Sequence, residues 1–199
     1  MKTQSSFNKG ELLSQIDCDM LKRSFVIAVI TEFDATLSLN VATELTTQLK
    51  QAGKVTHLLD LNNQNSQSEH VVPQVLVVNC IAGVHQANID VANYADIIII
   101  APSINNIADA VAGCFQVISD LIKQSSYKHK YKMLITNAPD HPSGIELYQG
   151  VSNVIDRFHT VLTDLIGIVT TNMTQGEKNS VYKKSVALIL ECLYKSPRH

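Results

Sequence analysis

The chain has 199 residues, of which 45% are hydrophobic and 17% charged, with a formal net charge of −2. This length and hydrophobic content suit one domain with a single core, so two independent domains are not expected. The small negative charge disfavours nucleic acid as a partner, because nucleic-acid binding relies on clustered Lys and Arg side chains.

The N-terminal part, residues 1–24, is mixed and polar and is expected to be an appended arm or a short helix, followed by the main domain at 25–199. Its first ten residues lack the apolar core of a signal peptide, and nowhere do 18 apolar residues run together. Four cysteines lie far apart without a C-x-x-C pair, which favours reduced, structural cysteines. The sequence therefore predicts a soluble, cytoplasmic protein without a membrane span.

The first half of the domain begins with a short apolar strand, Phe25 to Ile30, and a helix follows with apolar positions every four residues. Gly53 is placed to end that helix. Val55 to Leu61 predicts a second strand. The apolar run from Val71 to Ile81 has an open role, as an extra edge strand or a strand replacing part of a helix, and Pro73 keeps its start at an edge.

The second half is dominated by four consecutive isoleucines, Ile97 to Ile100, which predict a strand buried on both faces. Helical and extended patterns alternate around it. They predict helices at Gly83–Tyr94, Ile107–Ile122, Val151–Leu165 and Val181–Leu193, strands at Lys132–Thr136 and Ile166–Thr170, and a loop at Asn137–Gly144.

Strands that alternate with helices need crossover connections, which predicts an α/β fold of three layers with helices on both faces of a parallel sheet. Five strands in the order 2-1-3-4-5 give a flavodoxin-like arrangement. In that order the connections after the first and third strands, Thr31–Asn40 and Ser103–Asn106, flank one crevice at the carboxyl ends of the strands.

The first of these connections carries hydroxyl and amide side chains where a helix is expected to begin. Thr36, Ser38 and Asn40 could donate hydrogen bonds to a phosphate at the helix N-terminus, and N-capping by Ser38 or Asn40 explains the same residues equally well. Glu32 and Asp34 oppose a phosphate, since a carboxylate about 4 Å away costs on the order of 4 kcal/mol at an effective dielectric of 20.

The second connection places Asn105 and Asn106 just past the buried strand, where they could read the amide edge of a flat heterocycle or serve as turn residues. His141 is the one histidine near the predicted edge, and a solvated loop histidine is its plainer interpretation. The seven histidines lack metal-ligand spacing, and no G-x-G-x-x-G, Walker A or G-x-S-x-G motif occurs. The sequence predicts no catalytic constellation and no metal site.

Residues 25 to 195 resemble the NAD(P)H-dependent FMN reductases of the flavodoxin-like superfamily. The matching elements are Ser38-Leu39-Asn40 for S-x-N, Ala95-Asp96 before the apolar strand, and Pro102-Ser103-Ile104-Asn105 for P-x-Y-N, with Gly113 to Asp120 following. Ile104 stands in place of the family's aromatic residue, Gln116 replaces its lysine, and its loop arginine is missing.

The resemblance implies FMN as cofactor, with its phosphate at Thr36, Ser38 and Asn40 and its ring at Pro102, Ser103, Ile104, Asn105 and Asn106. The loop containing Asn137 and His141 would close the other side of the ring. It further implies hydride transfer from NAD(P)H through the flavin to a small electron acceptor such as a quinone or free flavin, in a homodimer.

A local similarity points to a second family, the flavoprotein cysteine decarboxylases. Asn88 to Asp96, Ala101-Pro102 and Asn105 to Gly113 are similar to their H-I-x-L-A-x-x-A-D, A-P-x-x-A-N-x-I-A and G segment. A third hypothesis is a flavodoxin-like domain that has lost its cofactor and works as a binding or regulatory protein. The two acids in the first connection and the missing aromatic favour this third hypothesis.

Overall fold

The computed structural model describes residues 18–31, 35–63, 72–83, 85–101, 130–138 and 164–195. Strands and helices alternate through most of this part of the chain. In chain order the elements are α1 (Cys18–Arg23), β1 (Phe25–Ile30), α2 (Ala35–Gln51), β2 (Thr56–Asp60), β3 (Val75–Asn79), α3 (Gln86–Tyr94), β4 (Ile97–Ile100), β5 (Lys130–Ala138), β6 (Asp164–Thr170) and α4 (Gln175–Lys195).

The six strands form one sheet in the order β2-β3-β1-β4-β5-β6, and every neighbouring pair is parallel. The predicted α/β class with a parallel sheet is confirmed. The expected count of five strands and the order 2-1-3-4-5 need correction, because the apolar run at Val71–Ile81 contributes β3 and inserts it between β2 and β1.

Of the two roles left open for that run, the edge strand is wrong, for a local reason. Pro73 lies two residues before β3 begins at Val75, so its missing N–H does not interrupt the ladder. All five residues of β3 are buried, as an interior strand covered on both faces requires. The Ser24 hydroxyl donates to the Pro73 carbonyl at 2.9 Å and fixes this entry against the start of β1.

The core consists of two apolar layers, one on each face of the sheet. On one face α2 and α4 pack through Leu45, Leu49 and Val186 onto the side chains of Ile27 and Ile99. On the other face, α1 and α3 contribute Leu21, Ile89, Val91 and Ala92 to the layer that contains Ile98 and Ile100. The helices therefore cover both faces, as predicted.

The isoleucine strand lies near the middle of this sheet, between β1 and β5. All four isoleucines are buried, two on each face. Each such side chain contributes about 1.5 to 3 kcal/mol by leaving water. This explains why an uninterrupted apolar run, and not an alternating one, marks this strand.

Two of the helix ends follow the local rules of the sequence. Gly53 follows α2 with φ of +79°, and its N–H donates to the Lys50 carbonyl at 3.0 Å, as expected for a glycine that ends a helix. Before α4, the Thr174 N–H donates to Glu177 Oε2 at 2.8 Å and the Glu177 N–H donates back to Thr174 Oγ1 at 3.4 Å. This reciprocal pair is a capping box.

Several sequence expectations fall outside the described residues, namely the helix at Ile107–Ile122, most of the helix at Val151–Leu165, and the loop beyond Ala138. Leu165 itself belongs to β6. Within the described ranges, no helix is long and apolar enough to span a membrane.

Candidate functional site

The carboxyl edge of the sheet, where the strands end, is the candidate site. β1 lies between β3 and β4, so the residues that follow these three strands are neighbours. The Cys80 N–H donates to the Val29 carbonyl at 3.0 Å, and the Ala101 N–H donates to the Ile30 carbonyl at 2.9 Å. The first and third predicted strands are therefore adjacent at their carboxyl ends, as the sequence analysis expected.

A topological switch occurs at this point. After β1 the chain turns towards β2 on one side of the sheet, whereas after β4 it turns towards β5 on the other. Connections that leave adjacent strands in opposite directions open a crevice between them, and α/β proteins bind ligands in such crevices. The fold therefore supplies the general position of a site.

The predicted site residues are only partly within the described chain. Thr36 and Asn40 are exposed on the first two turns of α2, whereas Ser38 is wholly buried on the inner side of the helix. Asn137 is the second-to-last residue of strand β5. The remaining predicted site residues, Pro102, Ser103, Ile104, Asn105, Asn106 and His141, lie outside the described residues, so the binding role of this set stays a prediction.

The alternative explanation of the first connection, N-capping by Ser38 or Asn40, is wrong. Helix α2 begins at Ala35, so both residues lie in its interior. Only four residues, Thr31 to Asp34, join the end of β1 to this helix. None of them is Gly, Lys or Arg, and two of them are Glu32 and Asp34.

The described chain brings together at this edge a pair of side chains that the sequence analysis missed. Asp60 ends β2 and Asn79 ends β3, and the two residues are partners in the parallel ladder. Asn79 Nδ2 donates to Asp60 Oδ1 at 2.7 Å. The same Asp60 oxygen accepts the Asn62 N–H and Asn62 Nδ2, both at 3.1 Å.

One polar atom of this pair lacks a hydrogen-bond partner. Asn79 is wholly buried, and its Oδ1 has no hydrogen-bond partner. Burying a carbonyl oxygen without a donor costs about 1 to 3 kcal/mol, and such atoms are uncommon in folded proteins. A signal for the pair was present in the sequence, because a polar residue closes each of the apolar runs Leu58-Leu59-Asp60 and Val77-Val78-Asn79.

The connection from β3 to α3 is fixed against the same edge by Asn88. Its Oδ1 accepts the Ile81 N–H at 3.1 Å, and its Nδ2 donates to the carbonyls of Ile81 and Gly83, both at 2.7 Å. Gly83 has φ of +85° and its N–H donates to the Thr31 carbonyl at 3.0 Å. A buried amide and a left-handed glycine thus hold this connection against the end of β1.

Cys80, directly after Asn79, is buried and free. Burial raises the pKa of its thiol to about 12, with a small opposing effect from a backbone hydrogen bond at Val29. A thiol in this state is a poor nucleophile, because the thiolate is the reactive form. Among the described residues there is no group of three or more His, Cys, Asp or Glu side chains that could hold a metal ion.

The comparisons with known proteins identify the fold. No protein-family model and no curated protein match the sequence. The structure is similar to MinD of the MinC:MinD cell division protein complex from Aquifex aeolicus, with a TM-score of 0.59, 12% identity, and coverage of 83% of this chain and 96% of that chain. A second structure of the Aquifex aeolicus MinD cell division protein gives a TM-score of 0.56 at 13% identity and the same coverage.

A C101A mutant of flavodoxin from Pseudomonas aeruginosa superposes with a TM-score of 0.48 at 12% identity, covering 85% of this chain and 99% of that one. At 12% and 13% identity, the two Aquifex aeolicus structures establish a shared architecture and nothing about activity. The chain is therefore an α/β protein with an all-parallel, six-stranded sheet, of the architecture that it shares with the MinD cell division protein.

Proposed function

We propose that this protein is a binding or regulatory protein that uses this α/β fold without a phosphate-bearing cofactor. The observation that carries the proposal is the connection from β1 to α2, which has four residues, two acids and no Gly, Lys or Arg. Phosphates at helix N-termini are stabilised by free N–H groups and the helix dipole, in the P-loop with glycines and a lysine beside them. Here the local charge is of the wrong sign.

The end of β3 supports the same proposal. The wholly buried Asn79 amide donates an N–H to Asp60, so that N–H is not available to an anion. Asp60 adds a carboxylate to the edge at which an anion would have to sit. Ser38, the central residue of the predicted phosphate site, is buried against the sheet.

FMN-dependent hydride transfer from NAD(P)H to a small acceptor is the second candidate. It is favoured by the adjacency of β1 and β4 and by the exposure of Thr36 and Asn40 at the start of α2. Glu32 and Asp34 in the sequence of the first connection, and the burial of Ser38, argue against a site for the phosphate of FMN.

The experiment is a titration of the purified protein with FMN and, separately, with ATP and Mg²⁺, followed by calorimetry and visible absorbance. We expect a colourless protein that binds neither ligand at millimolar concentration. A yellow protein, or saturable FMN binding that Thr36→Asp weakens and Thr47→Asp leaves unchanged, would overturn the proposal. Thr47 is a matched control because it is exposed on α2 three turns further from the site.

If FMN is bound, its reaction can be assigned directly. Anaerobic bleaching of the flavin by NADPH would support the oxidoreductase. Release of carbon dioxide from a peptide ending in cysteine would instead support the decarboxylase.

A further inference from the structure

The amino edge of the sheet, where the strands begin, has a different character from the carboxyl edge. Three of the described helices end at the amino edge. α1 leads directly into β1, and α2 and α4 each follow a strand and run back across the sheet to this edge. The last turns of α1 and α2 carry Lys22, Arg23 and Lys50. The helix dipole favours cations at helix C-termini, which offsets the repulsion among these three positively charged side chains.

Hydrogen bonds tie the segments at this edge to one another. Lys54 Nζ donates to the Tyr194 hydroxyl at 2.8 Å, which ties the turn after α2 to the end of α4. The Gln74 N–H donates to the Val55 carbonyl at 2.9 Å, and the Phe25 N–H donates to the Gln74 carbonyl at 3.0 Å. We call this surface the amino-edge patch; it consists of Lys22, Arg23, Lys54, Val55, Val72 and Tyr194.

The patch also exposes large apolar side chains, whose exposure the helix dipole does not explain. Tyr194 is 70% exposed, Val55 48% and Val72 41%. The Lys54 ammonium lies 4.9 Å from the centre of the Tyr194 ring, on the side of the hydroxyl to which it donates, so this hydrogen bond orients the exposed ring. A fixed, exposed aromatic ring beside cations is typical of protein-binding surfaces.

The carboxylates near the patch do not neutralise it. Asp96 Oδ2 accepts the Val26 N–H at 2.8 Å and is thereby engaged at the start of β1. Glu191 is exposed one turn before Tyr194 on α4. Against these two acids stand Lys22, Arg23 and Lys54 of the patch and Lys50 beside it in the last turn of α2, so cations outnumber acids among these described side chains while the chain as a whole is acidic.

We propose that the amino-edge patch binds an acidic segment of a partner protein, with Tyr194, Val55 and Val72 contacting apolar side chains and the Lys and Arg residues pairing with carboxylates. Charge complementarity selects this occupant. Nucleic acid is disfavoured, since about six to ten phosphate contacts are usual for a duplex binder and the patch offers fewer cations. The inference concerns the face opposite the carboxyl edge and goes beyond the proposed function.

The test is fluorescence anisotropy with a short dye-labelled peptide of alternating Glu and Phe, with the Gln-for-Glu peptide as the charge control. We expect saturable binding that weakens as salt rises. Arg23→Glu combined with Lys54→Glu should weaken it by about tenfold or more, and Tyr194→Ala by a similar factor. Lys183→Glu with Lys184→Glu, the same charge change at exposed positions in the middle of α4, should leave it unchanged.

A second measurement needs no substitution. In the full-length protein, addition of the acidic peptide should shift the backbone amide resonances of Lys54, Val55 and Tyr194 and leave those of Thr36 and Asn40 unchanged. Three outcomes would each overturn the inference. The peptide does not bind saturably, the Lys183/Lys184 variant weakens binding equally, or phosphatidylserine vesicles or single-stranded DNA bind more tightly than the peptide. FMN binding would overturn only the proposed function, so the two failures are distinguishable.

Discussion

Asn79 Nδ2 lies 2.7 Å from Asp60 Oδ1, so the carboxyl ends of β3 and β2 are joined by a side-chain hydrogen bond in addition to the backbone ladder. The bond links a neutral, wholly buried amide to a half-buried carboxylate. Hydrogen bonds with one charged partner contribute about 1.5 to 3 kcal/mol, more than neutral ones do. This hydrogen bond therefore stabilises the carboxyl edge and holds the Asp60 carboxylate there.

Asn79→Asp should lower the free energy of unfolding by about 2 to 4 kcal/mol at pH 7, because it sets two carboxylates against each other where a donor faced an acceptor. One of the two carboxyl groups would then keep its proton to a higher pH in the folded than in the unfolded protein. The loss of stability relative to wild type should consequently be largest at neutral pH and should shrink below about pH 4.

Urea unfolding at several pH values measures this effect. The reciprocal double variant, Asp60→Asn with Asn79→Asp, restores one donor and one carboxylate and should recover part of the lost stability; recovery is incomplete because the carboxylate is now wholly buried. Wild-type stability of the single variant at neutral pH would show that the bond contributes nothing.

Gly167→Ala should destabilise the protein by about 1 to 3 kcal/mol, since overpacking a filled core has costs of this size. A Cβ at Gly167 would lie 2.8 Å from Leu134 Cδ1 and Val181 Cγ1 and 2.9 Å from Ser185 Oγ, at the contact between β6 and α4. The Ser185 hydroxyl is already committed to the Ile166 carbonyl at 3.0 Å. Thermal unfolding followed by circular dichroism measures the change.

Gly176→Ala is the matched control. The nearest heavy atom to its added Cβ is Thr174 Oγ1 at 4.0 Å, and the residue lies in the first turn of α4. This substitution should be neutral or stabilise the protein by up to about 1 kcal/mol through helix propensity. Equal destabilisation by both alanines would contradict the packing explanation.

Cys80 should resist alkylation in the native protein at pH 8, because burial raises the pKa of its thiol to about 12 and removes it from solvent. Cys192, which is only partly buried, should react with iodoacetamide much faster. Mass spectrometry of the labelled peptides distinguishes the two residues, and both should react alike in guanidinium chloride. Comparable native rates would show that the end of β3 opens freely to solvent.

Glu177 should make the stability of α4 depend on pH in the acid range. Hydrogen bonds from the Thr174 N–H and hydroxyl lower the pKa of this carboxyl below its ordinary value of 4.5. A lowered folded pKa gives stability that is present above the unfolded pKa and is lost as pH falls through the folded pKa. Glu177→Gln should abolish this component of the acid dependence, whereas Glu191→Gln, also on α4, should preserve it. Melting temperature against pH is the measurement.

The sequence alone determined the elements whose residue types strongly favour one kind of local structure. Four consecutive β-branched isoleucines favour a strand covered on both faces, and a glycine just after a helical stripe favours the left-handed end of a helix. The alternation of strands and helices then required a parallel sheet. These inferences are local or depend on burial, so composition and spacing were enough.

Tertiary structure decided the order of the strands and with it the pairing of distant polar residues. The run containing Val75 to Asn79 is equally apolar whether it lies at an edge or inside the sheet, and only packing between β2 and β1 shows which. The same placement brings Asn79 to Asp60 across 19 residues of sequence. The packing of α2 on the sheet buries Ser38 on the inner face of that helix. The polar residues that close the two apolar runs are visible in the sequence, but their pairing, like the inward face of a helix, depends on the whole fold.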